Sequence, residues 1–237
     1  MAGEHTLKRF DEELERLSST ISEMGGLAET ALTQCLVALR QSDSEIAEQV
    51  IAADARVDAI EKEIQDHVLQ MLALRQPMAV DLRHILSSVK MATTLERIAD
   101  YAKNNAKRSI VLMQSSVPPR AMTGIDRIGR LVQGLLTDVL DAFSKNDVPA
   151  AEAVWKRDEE IDDAYNGLFR ELLTYMMEDP RNITFCIHLM FCAKNIERMG
   201  DHATNVAETV HYMVEGRPMS DPRPKGDTTT FAKAAAT

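Results

Sequence analysis

The chain has 237 residues, enough for one large domain or two small ones with a sizeable core. Its 37 acidic residues against 27 basic ones give a formal net charge of -10, which opposes the phosphate attraction that dominates nucleic-acid binding and argues equally against bare anionic membrane. With 45% hydrophobic residues, 5% aromatics, 10 Gly and 8 Pro, the composition suits packed helices rather than a β-fold rich in tight turns.

The N-terminus is charged from the start and lacks the apolar run of a signal peptide. From Leu7 through Phe10, Leu14, Leu17, Ile21, Met24, Ala28, Ala31, Cys35 and Ala38, apolar residues recur at alternating spacings of three and four, which predicts a long helix to about Arg40. "QSDSE" offers Ser and Asp caps for a restart, and Ile46, Val50, Ala53, Val57, Ile60, Ile64, Val68 and Met71 mark helix two. Pro77 breaks it and stands near the start of helix three, from about Val80 to Met113. "QSSVPP", residues 114–119, reads as a linker.

The plan then repeats. Helix four carries Ile125, Ile128, Leu131, Val132, Leu135, Val139 and Phe143; helix five carries Val154, Ile161, Tyr165, Leu168 and Leu172; Pro180 takes the part of Pro77; helix six runs from about Ile183 to Val214. The expected fold is all-α: two tandem, pseudo-symmetric three-helix bundles of six long antiparallel helices, residues 1–113 and 120–216, with a disordered tail at 217–237. Cys35, Cys186 and Cys192 lack CxxC spacing and read as small buried hydrophobes in a reducing cytoplasm; Trp155 and the methionines of "TYMM" read as core. No stretch approaches the ~20 apolar residues that span a bilayer.

The informative repeat is polar. "LERIADYAKNNAK" and "IERMGDHATNVAE" each carry Glu and Asp at i and i+4, Glu96 and Asp100 in the first, Glu197 and Asp201 in the second, each pair on one helix face. Aligning the halves through Ser42 and Asn146 superposes Asp54 on Asp158 and Asp58 on Asp162, so each half has two helices bearing two carboxylates. Four close carboxylates repel strongly, about 4 kcal/mol per pair at ~4 Å and an effective dielectric of 20, unless a cation intervenes. Oxygen-only ligands select hard ions, Mg²⁺, Ca²⁺, Mn²⁺ or ferric iron, with zinc less natural. The opposing reading is solvated surface acids. Arg97 and Arg198 are expected to pair with neighbouring acids rather than hold an anion. Asn104 and Asn205, one turn beyond the aspartates, are placed to orient ligands or to serve as ordinary surface residues. His202 beside Asp201 points elsewhere on the helix and is weak support for a joint site.

A carboxylate-bridged dimetal oxidase needs Glu-x-x-His, and Ala99 and Gly200 stand at that offset. Phosphate-binding GxxxxGK[ST], the GxSxG elbow and a cysteine nucleophile beside a base are all missing from the sequence. An adaptor offering long helix faces therefore fits better than an enzyme.

The two boxes, the connectors "LRQPMAVDLR" and "YMMEDPR", and the opening "RFDEELERL…MGGLAE" resemble the PhoU family of phosphate-signalling regulators, over essentially the whole chain except the tail. The resemblance implies a six-helix, often dimeric fold with metal held by Glu96, Asp100, Glu197 and Asp201 together with Asp54, Asp58, Asp158 and Asp162. It further implies a cytoplasmic negative regulator of phosphate uptake and of the phosphate-starvation response. Such a regulator links the phosphate ABC transporter's ATPase subunit to a sensor histidine kinase and meets the inner membrane only through those partners. Ala99 departs from the family, which usually has Gly there, and its methyl is expected to crowd the neighbouring helix. The alternatives are a metal-dependent phosphohydrolase using the same acids to activate water, and a purely structural helical dimer without metal.

Overall fold

A computed structural model describes residues 2–75, 77–114 and 119–220; most of the expected linker and tail lies outside the described residues. The apolar stripes form helices α1 (Ala2–Gln41), α2 (Ser44–Arg75), α3 (Ala79–Leu112) and α4 (Pro119–Lys145). They are followed by α5 (Val148–Lys156), α6 (Asp158–Glu178), a 3-10 turn (Pro180–Asn182) and α7 (Ile183–Glu215). The six-rod, two-bundle plan holds.

The duplication is visible in the hinges. Ser42 and Asn146 both adopt left-handed backbone, with φ of 52° and 51°, and each is followed by an aspartate that caps the next helix. Asp43 Oδ1 accepts from the N–H groups of Glu45 and Ile46 at 2.9 and 3.1 Å, and Asp147 Oδ1 accepts from Ala150 N–H at 3.0 Å. A reversal followed at once by a capped helix start returns each chain segment antiparallel to the one before.

One expected rod is built of two helices. Between α5 and α6 Arg157 leaves helical geometry at φ -87° and ψ 1°, its N–H bonding Val154 O. Its guanidinium donates to Asp138 Oδ2 on α4 at 2.6 Å, a tertiary contact made at the kink.

Leu17, Ile21, Met24, Ile60, Ile64, Leu95 and Ile98 fill the first bundle, and Ile125, Ile128, Val132, Ile161, Leu172, Leu189 and Ile196 the second, all at most 1% exposed. Trp155 is buried, and the three cysteines are buried and free, as the core reading requires. Met177 corrects that reading: it is 86% exposed on the outer face of the last turn of α6, while Met176 packs against the core. Ala99 fits into the core, whereas a Cβ at its counterpart Gly200 would stand 2.8 Å from Ile161 Cδ1, so a methyl there would require the tip of Ile161 to shift. Among the described residues no helix is long and apolar enough to cross a membrane.

The halves meet where α3 packs antiparallel to α7 and where α1 packs on α4. Arg83, at the start of α3, donates from Nε to Met213 O at 3.0 Å and from Nη2 to Val214 O at 3.3 Å. A cation there satisfies carbonyls that a helix end leaves open and opposes its negative pole. The chain then turns through Gly216 at φ 75°. Arg83→Ala is expected to cost about 1–2 kcal/mol. Hydrogen exchange would show it as faster exchange in the last turn of α7, with the middle of that helix unaffected.

Candidate metal centre: two carboxylate clusters

The pseudo-twofold axis can be placed from two side chains. Tyr101 follows Asp100 and His202 follows Asp201, so they are repeat equivalents, and their rings stack on each other with centroids 5.7 Å apart. Equivalent residues touch only at the axis. His202 therefore faces the α3–α7 seam, and Arg198 lies over the Tyr101 ring at 5.8 Å, with no ion pair to an acid among the described residues. The carboxylates of each half stand on the other side of α3 or α7, toward α2 or α6.

In the first cluster α2 supplies Asp54, Asp58 and Glu61, and α3 supplies Glu96 and Asp100. A residue absent from the expected set sits among them: Lys103 Nζ donates to Asp54 Oδ2 and to Asp100 Oδ1, both at 2.7 Å. Asn104 Nδ2 donates to the other oxygen of Asp100 at 3.0 Å, the orienting role open to it. Thr93 Oγ1 donates to Glu61 at 2.9 Å. Arg97 Nε lies 3.6 Å from Glu96 Oε2, the ion pair expected of it. Burial lifts the Glu96 carboxyl above its ordinary range; Arg97 opposes this, and Glu61, Asp100 and Asp58 add to it. Asp58 is raised too, by desolvation first and then by Asp54, though it lies at the exposed rim. Five acids thus feel one another across the α2–α3 groove.

The second cluster is deeper. Asp158 and Asp162 on α6 are 3% and 4% exposed and Glu197 on α7 is 4% exposed, with Asp201 half-buried beside them. Lys194 Nζ donates to Glu197 Oε1 at 2.8 Å. Glu197 Oε2 is buried without a hydrogen-bond partner. Burial pushes this carboxyl up to about 7; the Lys194 hydrogen bond pulls against burial, and Asp201 and Asp162 push with it. As the side chains stand, no three His, Cys, Asp or Glu groups among the described residues close around a common point. The acids share two grooves rather than one point, with a lysine in each.

The PhoU domain family matches residues 21–109 and again 125–210, one copy per bundle. The chain belongs to the PhoU family. A Caulobacter vibrioides protein named phosphate-specific transport system accessory protein PhoU homolog is 49% identical over 94% of this chain and 97% of its own length. A Rhizobium meliloti protein of the same name is 48% identical over 97% of both. The crystal structure of PhoU from Pseudomonas aeruginosa superposes with a TM-score of 0.85 at 40% identity, covering 88% of this chain and all 100% of that one. That of the phosphate transport system regulatory protein PhoU from Streptococcus pneumoniae gives 0.82 at 27% identity, covering 89% of this chain and 99% of that one.

Within this PhoU fold the clusters differ in fitness for a hard cation. The second offers three buried carboxylates and an orphaned oxygen whose desolvation a cation, a proton or a bound water would relieve. Both hold an ammonium group, but Lys103 of the first bonds an acid on each of its two helices, Asp54 and Asp100, whereas Lys194 of the second bonds Glu197 and lies 5.0 Å from the Tyr165 ring of α6. The lysines were the missing part of the sequence reading. Lys103 lies i+3 from Asp100 and Lys194 lies i-3 from Glu197, spacings that place each on its acid's face.

Proposed function

We propose that this PhoU protein is a negative regulator of phosphate uptake and of the phosphate-starvation response. It acts as an adaptor between the phosphate transporter's ATPase subunit and a sensor histidine kinase, and reaches the membrane only through those partners. The observation that carries the reading is the length and closeness of the match: relatives at 49% and 48% identity cover nearly the whole chain, and their names place them as accessories of phosphate-specific transport. The surface supports binding rather than turnover. Ile183, Ile187 and Phe191, spaced i, i+4 and i+8 on α7 and 41%, 42% and 51% exposed, give an apolar stripe for a partner or for a second copy of the chain.

In this reading the second cluster holds a hard cation, Mg²⁺, Mn²⁺ or iron, through Glu197, Asp201, Asp158 and Asp162. The ion's contribution is to neutralise these acids and fix α6 against α7. A pull-down with the transporter ATPase tests both parts. The double variant Glu197→Ala, Asp201→Ala is expected to bind at least about tenfold more weakly, equivalent to ~1.4 kcal/mol, in buffer containing Mn²⁺. Unchanged binding together with unchanged repression would remove the cation from the mechanism. Failure of the unsubstituted chain to bind ATPase or kinase would remove the adaptor. Hydrolysis of phosphate esters that those substitutions abolish would put an enzyme in its place.

A further inference from the structure

The two clusters are equivalent by repeat and different by chemistry. In the first motif a threonine, Thr93, stands three residues before the glutamate and a lysine, Lys103, seven after it; in the second, Lys194 stands three before and Thr204 seven after. The lysine has changed ends. From the late position Lys103 reaches across the groove and joins Asp54 of α2 to Asp100 of α3, two charge-assisted bonds of 2.7 Å each. Its side chain is 21% exposed and that of Asp54 only 10%, so the bridge is largely sheltered from water. In the second motif Thr204 turns back and donates to Asp201 O of its own helix at 2.8 Å. The early position differs as well: Thr93 draws Glu61 toward itself, whereas Lys194 bonds Glu197 of its own helix and rests its ammonium 5.0 Å from the Tyr165 ring of α6. Among the described residues no buried carboxylate oxygen of the first cluster lacks a hydrogen-bond partner, while Glu197 Oε2 of the second does.

We propose that the Lys103 ammonium is the resident cation of the first cluster: it occupies the place a metal ion would take between α2 and α3, and confines metal binding to the second half of the chain. The second clause rests on the reading of the second cluster as a cation site; the first does not. A tethered ammonium competes at a high effective concentration. An incoming ion must break both of its bonds and then share the groove with the displaced charge. The joint between α2 and α3 is thereby made permanent, and only the joint between α6 and α7 responds to metal supply.

The experiment is Mn²⁺ uptake by the full chain after stripping with chelator and desalting, read by elemental analysis and by the Mn²⁺-dependent rise in melting temperature. Glu96→Gln is expected to take up as much as the unsubstituted chain, and Glu197→Gln to lose most of the uptake. Lys103→Met is expected to gain further Mn²⁺, which Glu96→Gln added to it removes again. Lys103→Arg keeps the charge and is expected to gain none, which tests the idea even if Lys103→Met fails to fold. Loss of uptake in Glu96→Gln alone, no gain in a folded Lys103→Met, or a gain in Lys103→Arg would each overturn the proposal. If the unsubstituted chain takes up no Mn²⁺ and Lys103→Met does, the lysine stands as the resident cation and the cation reading of the second cluster falls.

Discussion

In buffer containing chelator, the Glu197→Gln protein is expected to melt higher than the unsubstituted chain at pH 8, and the gap to shrink as the pH is lowered toward 4.5. An ordinary glutamate titrates near 4.5; in the fold the Glu197 carboxyl is held at about 7. Burial raises it, the Lys194 hydrogen bond opposes, and Asp201 and Asp162 raise it further. The folded state therefore grips this proton harder than the unfolded chain does. The stability so gained is complete below pH 4.5 and is lost as the pH climbs through 7. At ~1.4 kcal/mol per pKa unit the loss is on the order of 3 kcal/mol. For a chain of this size that corresponds to roughly 5–10 °C in melting temperature. Glutamine keeps an oxygen for Lys194 and never ionises, so it escapes the loss. A hard cation favours the carboxylate and reverses the trend, so saturating Mn²⁺ should close the gap at pH 8 by stabilising the unsubstituted chain alone. A gap independent of pH would show that Glu197 carries its charge in the fold without penalty.

What the sequence disclosed and what it withheld divide along one physical line. What short-range pattern sets was legible: the stripes of α1 to α4, the cap in "QSDSE", and the i, i+4 acid pairs. The break at Arg157 was not: the apolar period runs through it, and its tertiary partner Asp138 lies on another helix. Nor was the difference between Asp54 and Asp58. Both belong to the same expected pair, yet Asp54 is drawn into the groove by Lys103 while Asp58 stays at the rim. The spacing of Lys103 and Lys194 placed them on the acidic faces, but whether such a chain reaches water or a neighbouring helix depends on how closely the helices approach. The Tyr101–His202 stack, which locates the axis, needed the register of α3 on α7. Met177 misled because a terminal turn of a packed helix exposes part of its apolar stripe.

Truncating one core residue of the first bundle should unfold the second. Leu95→Ala removes a side chain with no exposure from α3, at an expected cost of about 2–5 kcal/mol. Trp155, the only tryptophan, is buried in the other bundle, where its Nε1 donates to Glu208 at 3.3 Å, so its fluorescence reports that bundle alone. The two halves are not joined like beads. Asn105, fully buried on α3, donates to Cys192 O on α7 at 3.3 Å and accepts from Asn195 at 2.9 Å. Leaving those groups unpaired in a separated seam costs about 1–3 kcal/mol each. Across α1 and α4 two glycines lie under leucines of the facing helix, Gly25 under Leu140 and Gly129 under Leu36, so that a Cβ at either would displace a leucine methyl. With apolar and polar groups interlocked at both contacts, the free energy lost at Leu95 is drawn from a single cooperative unit. The Trp155 transition of Leu95→Ala should therefore move down together with the far-ultraviolet signal of the whole chain, by roughly 5–15 °C. A Trp155 transition left in place, with an earlier partial loss of helix, would mean that the bundles fold independently. Metal bound in the second half would then have no mechanical route to the first.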